Sequence, residues 1–540
     1  MSPTLLSSAA VPPRVKKSRR PSLRRLAAWV AASATDRYGA SAFVFAFAMM
    51  HALLWTVILI NLKAAQDVHM DVAEAFAWGQ KFQLGYGKHP PLAGWVAGLW
   101  FRMFPVTDWA AYLLAMTTVA IGLVISWLTA LRVVDYRRAF FVVVMLAIYP
   151  IFNFKGFKYN PDLLQLVTLP LLVLAYLDAF EKRSARAGFW LGLAAALALM
   201  TKYWVLTMIG AVGLAALIHP DRLKFLRSPA PWVAIVVAVV AMIPHLMWLK
   251  EVNFVPLTYA GDVYGLSSRA RSAMLVLGYV DHNLGLLAVP VLLAGLVLVG
   301  TGLMRRPRAA MARIWSRGAN TAVNLTQALN VWIIQIVVAV GPPLGGLIFS
   351  VYMKTDWGIS LFFLTPLSLV AIPALRLPRI ALFRIAAVWL VLTLATLAAS
   401  PYIAIHEITD NPNSALSYGA RSQLARELTQ MWQNRFHSRW SVVAGTTEVG
   451  EPMTFYSPDH PAPFTPGEIW SSGLTSLEEA NRLGFIGVCD TTDNRLPECE
   501  AWMAKNGKDA EQVAVTTQRF FKGHPGPATT WKVYIVPPAK

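Results

Sequence analysis

Three acids crowd into one short string, Q-D-V-H-M-D-V-A-E, which holds Asp67, Asp71 and Glu74. Asp71 and Glu74 are three apart and Asp67 lies four before Asp71, so on one continuous helix the three would share a face. Carboxylates concentrated beside a membrane are costly unless hydrated or used. Two uses fit: a general base on an acceptor hydroxyl, or ligands for a hard divalent cation. A purely structural reading fits as well, since acids are favoured in the first turn of a helix. The spacing alone does not choose among them.

The next string, G-Y-G-K-H-P-P-L, sets Lys88 and His89 before two prolines. Proline fixes its own backbone and holds the preceding residue out of the helical region. The loop should therefore be defined, and its cation and imidazole could hold a phosphate, although a simple helix break would look the same. In K-Y-N-P-D, Asp162 stands at the N-terminal edge of an apolar run, where the helix dipole alone would stabilise it. Lys202 interrupts another apolar run, as a snorkelling lysine or as a phosphate ligand. Lys354 and Asp356 share the string Y-M-K-T-D-W-G, and Arg269 and Arg271 are further cations of the same kind of loop. The chain has two cysteines, Cys489 and Cys499. A local disulfide between them is expected if their compartment is oxidising; a zinc site would need about four ligands, and no neighbour supplies them.

What positions these residues is a membrane domain. Of 540 residues, 56% are hydrophobic and 14% charged, against ~25% charged in a soluble domain. Runs near the ~20 apolar residues of a spanning helix centre on 41–62, 109–131, 139–154, 163–180, 188–204, 205–218, 231–249, 276–302, 323–351, 358–375 and 380–401. The fold class expected is an α-helical polytopic membrane protein with about 11 transmembrane helices. The net charge of +19 would suggest nucleic acid in a soluble protein. Here the basic residues cluster in alternate short loops, including Arg132, Arg137 and Arg138, Arg222 to Arg227, Arg305 to Arg317, and Arg376 and Arg379. That is the positive-inside pattern, so no nucleic-acid partner is expected. It predicts a basic cytoplasmic tail over 1–40, a membrane domain over 41–401 and a long first outer loop over 63–108. An odd helix count leaves residues 402–540 outside as a small α/β domain. Its expected helices lie near 422–435, 477–483 and 500–504, and its strands near 440–443, 485–489, 513–516 and 531–536. Within the first loop, residues 94–104 form an amphipathic stretch suited to an interface.

Taken together, the strings resemble a known family. The run D-V-A-E-A-F-A-W-G-Q-K-F-Q-L-G-Y-G-K-H-P-P-L-A-G-W, residues 71–95, is similar to the first-loop signature of family 39/83-type glycosyltransferases of the GT-C fold. That group includes the rhizobial galacturonosyltransferases of the lipopolysaccharide core and, more distantly, the lipid A aminoarabinose transferase and the protein O-mannosyltransferases. Weaker matches follow in order: Asn160 to Asp162, Thr201 to Tyr203, the Trp357 loop, and Trp440 to Pro461. The resemblance implies a polyprenyl-phosphate sugar donor, a glycolipid or glycan acceptor, and chemistry at the periplasmic face of a bacterial inner membrane. By position Asp71 corresponds to the catalytic aspartate and Asp162 to a second functional carboxylate, with Glu74 as a substitute for a missing acid. Two departures stand out: Val72 replaces the acid after Asp71, and Lys88 replaces an aspartate before His89. The mechanism expected is inverting, with Asp71 as base and with His89, Lys88, Lys202, Arg269 and Lys354 on the donor phosphate. A divalent metal on Asp71 and Asp162 could share that role, although no diagnostic ligand set is visible and no cofactor is certain. A transporter or flippase of lipid-linked sugars and a protein O-glycosyltransferase are the rival readings, and an inactive envelope scaffold is a third.

Overall fold

Apolar length decides which segments can cross a membrane alone. The computed structural model describes residues 37–300, 322–410, 419–465, 474–507 and 510–539. Most of the expected tail and Arg305 to Arg317 lie outside the described residues. Among those residues seven helices are long and apolar enough to span: Gly39–Leu62, Asp108–Val133, Pro161–Lys182, Pro229–Glu251, Arg269–Leu298, Leu325–Phe349 and Arg379–Thr409. The other four of the eleven expected segments are also helical but shorter. Ala185–Leu199, Tyr203–Ile218 and Thr355–Val370 run 10–17 residues, and Tyr136–Ile148 has 13. At ~1.5 Å per residue each of these is shorter than ~30 Å, so among the described residues the eleven expected segments are seven long apolar helices and four shorter ones.

For the 136–148 helix the reason is local. The 136–148 helix stops where Asn153 Nδ2 donates to the carbonyls of Ala147, Ile148 and Tyr149 at 3.0–3.1 Å. Pro150 and Asn153 then open two short 3-10 turns, Pro150–Phe152 and Phe154–Phe157. The long helices pack through small residues, as membrane helices do. Gly188 and Gly192 sit one turn apart against the backbone of Ala230 and Ala234, leaving no room for a Cβ. Gly122 lies in the same way against the Leu166 carbonyl. Polar side chains add hydrogen bonds between helices, as between Tyr176 Oη and Asn330 Oδ1 at 2.9 Å.

The last long helix continues past residue 401 to Asp410. After it comes an α/β unit: helix Arg421–Phe436, strand β1 Val442–Ala444, helix Thr447–Tyr456, β2 Ala462–Phe464, helix Leu477–Leu483, β3 Phe485–Asp490, helix Leu496–Asn506, β4 Glu511–Phe521 and β5 His524–Val536. The sheet order is β2-β1-β3-β5-β4. β1 runs parallel to β2 and β3, while β3–β5 and β5–β4 are antiparallel. β3, FIGVCD, is buried along its whole length, as a central strand covered on both faces should be. The helices and strands read from the sequence are all present; the added elements are β2 and the 447–456 helix. Cys489 on β3 and Cys499 on the 496–506 helix form a disulfide, with Cα atoms 5.8 Å apart.

The first loop lies between the two parts. It folds into helices Met70–Gly79 and Leu92–Met103, which cross at Gly79 and Gly98. Phe76 meets Phe455 and His460 of the C-terminal domain at ring distances of 5.5 and 5.2 Å.

Candidate active site

Two helix N-termini meet at the site, and each presents an aspartate. The 70–79 helix begins after His69, whose Nδ1 accepts the Asp71 N–H at 3.2 Å. The 161–182 helix begins after Asn160, whose Oδ1 accepts the Leu163 N–H at 2.9 Å, with Pro161 in the first position. Asn followed by Pro is an N-terminus signal. Asp71 and Asp162 thus both stand in a first helical turn, where the dipole favours a carboxylate. Asn160 ties the two turns together: its Nδ2 donates to Asp71 Oδ2 at 2.8 Å.

Asp71 is half-buried, with 27% of its side chain exposed. Burial would raise its pKa. The charges of His69 and Lys158, the Asn160 hydrogen bond and the charge of Lys88 outweigh that and hold it below the usual carboxylate range. His69 is itself pushed below its ordinary value, chiefly by burial. Lys158 and Asn160 add to the contribution of His69 in holding Asp71 down. Lys158 Nζ lies 3.7 Å from Asp71 Oδ2 and 3.7 Å from Asp356 Oδ2. Burial would lower the Lys158 pKa, but Asp71, Asp356 and Asp162 raise it. Asp356 also meets Lys155 at 3.3 Å and His282 at 3.4 Å. Asn283 holds the turn that carries Asp356, donating to the Thr355 carbonyl at 2.9 Å.

The second aspartate is fully engaged. Lys202 Nζ lies 2.7 and 2.8 Å from the two oxygens of Asp162 and 5.2 Å from the centre of the Trp357 ring. Lys354 Nζ lies 5.3 Å from the centre of the Tyr264 ring, and Trp357 packs against Trp204 and Tyr264. The cations thus stand on an aromatic wall. Trp78 and Tyr86 stack at 4.9 Å, and the Tyr86 hydroxyl donates to the carbonyls of Trp78 and Lys81. Tyr86 and His89 exchange backbone hydrogen bonds at 2.9 and 3.2 Å. The loop is as rigid as its prolines require. His89 Nδ1 is buried without a hydrogen-bond partner among the described residues. Burial, then the charges of Lys202 and Lys88, push the His89 pKa well down, so the ring is neutral.

The structure therefore brings together Asp71, Asp162, Lys88, His89, Lys202 and Lys354. It separates three other expectations. Asp67, Asp71 and Glu74 do not share a helical face, because the helix starts only at Met70. Asp67 turns instead to Arg519 at 2.6 Å. Glu74 makes an ion pair with Lys88, so it is not a second free carboxylate beside Asp71, and the charge of Lys88 is matched. Of the two departures from the family pattern, Lys88 pairs with Glu74 and Val72 is buried in the core. Arg269 is exposed at the start of its helix, and no hydrogen bond or ion pair among the described residues joins its guanidinium to the cluster. For a metal, the donor set does not fit: Asp71 and Asp162 are each lysine-paired, and no three His, Cys, Asp or Glu side chains converge among the described residues.

Asn160, Lys155, Lys158 and His282 carry much of this geometry without having been assigned a role from sequence. The Asn-Pro-Asp string was the available signal for Asn160. For His282 it was an ionisable residue inside an otherwise apolar run.

Fold and comparisons agree on a class: this is a polytopic membrane protein of the GT-C fold. The family model described as dolichyl-phosphate-mannose-protein mannosyltransferase matches residues 88–248. Lipid A galacturonosyltransferase RgtD of Rhizobium johnstonii is 28% identical over 222 residues, covering 39% of this chain and 44% of that protein. The chain thus matches less than half the length of that relative. ArnT from Cupriavidus metallidurans bound to undecaprenyl phosphate superposes with a TM-score of 0.55 at 14% identity, over 93% of this chain and 98% of that one. Its apo state gives 0.53 at 14% identity, over 89% and 97%.

Proposed function

We propose that the protein transfers a sugar from a polyprenyl-phosphate donor to a glycolipid or glycan acceptor of lipopolysaccharide-core or lipid A type. The reaction takes place at the periplasmic face of the bacterial inner membrane, with the N-terminus cytoplasmic and residues 402–540 periplasmic. The observation that carries this reading is Asp71: an accessible carboxylate, held ionised by Lys158 and Asn160, beside a neutral His89 and lysines on an aromatic wall. RgtD, by its name, acts on lipid A, and ArnT was captured with undecaprenyl phosphate; both support the choice of substrates.

The acceptor hydroxyl gives its proton to Asp71, on the oxygen that Asn160 does not hold. The acceptor oxygen attacks the anomeric carbon from the side opposite the phosphate. The bond from that carbon to the phosphate oxygen breaks, and polyprenyl phosphate leaves with the electron pair, so the configuration inverts. Lys202, Lys354 and His89 face the charge that develops on the leaving group, where fixed donors are most effective. A positioned general base contributes ~10²–10⁴-fold.

The test is Asp71→Asn expressed in cells at parent level, with mass spectrometry of the envelope glycolipids. One sugar should disappear and its unmodified precursor accumulate. An unchanged glycolipid profile sinks the role of Asp71. Loss of sugar from proteins instead of lipids selects the protein O-glycosyltransferase reading, which the mannosyltransferase family model favours. Failed export with transfer intact in vitro selects the transporter.

A further inference from the structure

The β4–β5 hairpin ends beside the membrane helices rather than in open solvent. The Arg379–Asp410 helix has 32 residues, about 48 Å of helix against a bilayer core of ~30 Å. Its Arg384 guanidinium bonds the carbonyls of Val297 and Val299 at one end of the bundle. About 20 residues further, near Ala404, the apolar thickness is used up. The first polar pairing beyond that point confirms the level: Glu407 accepts from Gln66 at 2.6 Å and lies 3.6 Å from Lys63, just after the neighbouring span ends at Leu62. Two spans therefore leave the hydrocarbon at the same height.

The hairpin tip packs at that height. Phe521 joins Ala65, Ala404 and Ile408 in one apolar cluster, and a Cβ on Gly526 would lie 3.3 Å from Ile408. A register shift between Gln518 and Phe520 interrupts the ladder, and such bulges re-aim side chains. Arg519 turns inward to Asp67, while Phe520 is left 65% exposed. Lys522 is exposed beside it, its Nζ 5.6 Å from the centre of the Phe521 ring. On the adjoining helix Tyr402 is 74% exposed and Ile403 also faces outward, so the apolar surface of the span continues onto the hairpin.

We propose that this hairpin tip is a membrane-docking element of the C-terminal domain, with Phe520 lying among the lipid head groups and Lys522 paired to their phosphates. An apolar aromatic beside a basic side chain suits the boundary between head groups and acyl chains, and a lysine can lay its stem on apolar surface while its ammonium stays hydrated. Because the same hairpin carries Arg519, the bilayer plane then sets the C-terminal domain over the segment that leads to Asp71. The inference is independent of the reaction proposed above.

The two native cysteines are bonded to each other, so Phe520→Cys supplies a single free thiol. We would attach a nitroxide there, reconstitute the full chain in phosphatidylethanolamine–phosphatidylglycerol vesicles, and measure relaxation by oxygen, which partitions into lipid, and by a water-soluble nickel chelate. Gln512→Cys, at the far end of β4 and exposed, is the aqueous control. The label at position 520 should favour oxygen and the label at position 512 nickel. Nickel access at position 520 equal to the control, or shielding from both reagents, overturns the proposal.

Discussion

Asn160 joins Asp71 through a 2.8 Å hydrogen bond while its other amide atom caps the helix that carries Asp162. One side chain thus helps set both the position and the charge state of the carboxylate on which the proposed chemistry depends. The two tasks can be separated by substitution.

Asn160→Ser keeps an oxygen for the cap and removes the donor to Asp71. Stability should stay near that of the parent, whereas Asn160→Ala should also lose about 1 kcal/mol of capping. The sign of the pH effect follows from the lowered Asp71 pKa. An ionised Asp71 contributes stability above the ordinary unfolded value of about 3.9, and that contribution is lost as pH falls through the lower folded value. Without the donor the folded value rises, so the acid limb of kcat/KM moves to higher pH. Asn160→Asp should move it further, because a like charge then faces Asp71. Acid limbs that coincide with the parent would show that Asn160 does not set the charge of Asp71.

The Asp162–Lys202 pair invites a different measurement. Lys202 has 7% of its side chain exposed, so Asp162→Ala strands an ammonium. Removing one partner of a buried pair costs about 3–5 kcal/mol, while replacing both by apolar groups is often nearly neutral. Asp162→Ala should therefore melt well below the parent, and Asp162→Ala with Lys202→Met should recover most of the loss. Transfer activity in the stable double variant then reports on chemistry alone. Parent-like rates there would mean that the pair only holds the fold.

Much of this arrangement was legible in the chain. The apolar runs, the strands at 485–489 and 531–536 and the rigid His-Pro-Pro loop follow from local composition and backbone restriction, and they appear where the sequence puts them. Asp71 stood out by its spacing from Asp67 and Glu74 and by the family resemblance, His89 by the two prolines after it, Asp162 by its place at the edge of an apolar run, and Lys202 by interrupting one. What was not legible is partner choice. Asp67 and Arg519 are 452 positions apart, and no periodicity links them. The helical spacing of Asp67, Asp71 and Glu74 suggested one shared face, but an N-cap at His69 breaks that helix first. Asn160 lay in view as part of Asn-Pro-Asp, yet its second hydrogen bond depends on a helix packed from elsewhere in the chain. The breaks inside the four shorter segments were not legible, because apolar composition does not mark where a helix stops, as Asn153 stops the 136–148 helix.

The crossing of the 70–79 and 92–103 helices yields a steric prediction. A Cβ on Gly79 would lie 2.5 Å from the Gly98 nitrogen and 2.6 Å from its Cα, and backbone cannot move aside as a side chain can. Gly79→Ala should destabilise by about 1–3 kcal/mol and reduce transfer by displacing the helix that bears Asp71. Gly210, with nothing within 4 Å of a Cβ, is the matched control in a helix interior. There alanine should be neutral or stabilising by up to ~1 kcal/mol. Equal melting temperatures for the two variants would show that the crossing tolerates expansion.

Arg519 reaches from the C-terminal sheet to the segment just before the active-site helix. Its Nη2 lies 2.6 Å from Asp67 Oδ1 and 3.1 Å from Ser422 Oγ. The next residue, Val68, donates its N–H to the Tyr456 hydroxyl at 2.7 Å, and His69 then caps the helix of Asp71. Two contacts from the C-terminal domain therefore precede the carboxylate by a few residues. Arg519→Met removes the ion-pair partner of the buried Asp67, leaving Arg421 as the nearby cation, and should melt below the parent. Asp67→Asn with Arg519→Met removes both charges of the pair and should restore part of the melting temperature, since Arg421 then loses Asp67 as a partner. If the clamp also aims Asp71, that double variant will keep a lowered kcat at nearly unchanged KM, because the acceptor still binds but its hydroxyl meets a misplaced base. Arg519→Lys should fall between, keeping the charge but losing the guanidinium Nη2 that donates to both Asp67 and Ser422. A double variant that regains both stability and kcat would assign the contact to folding alone.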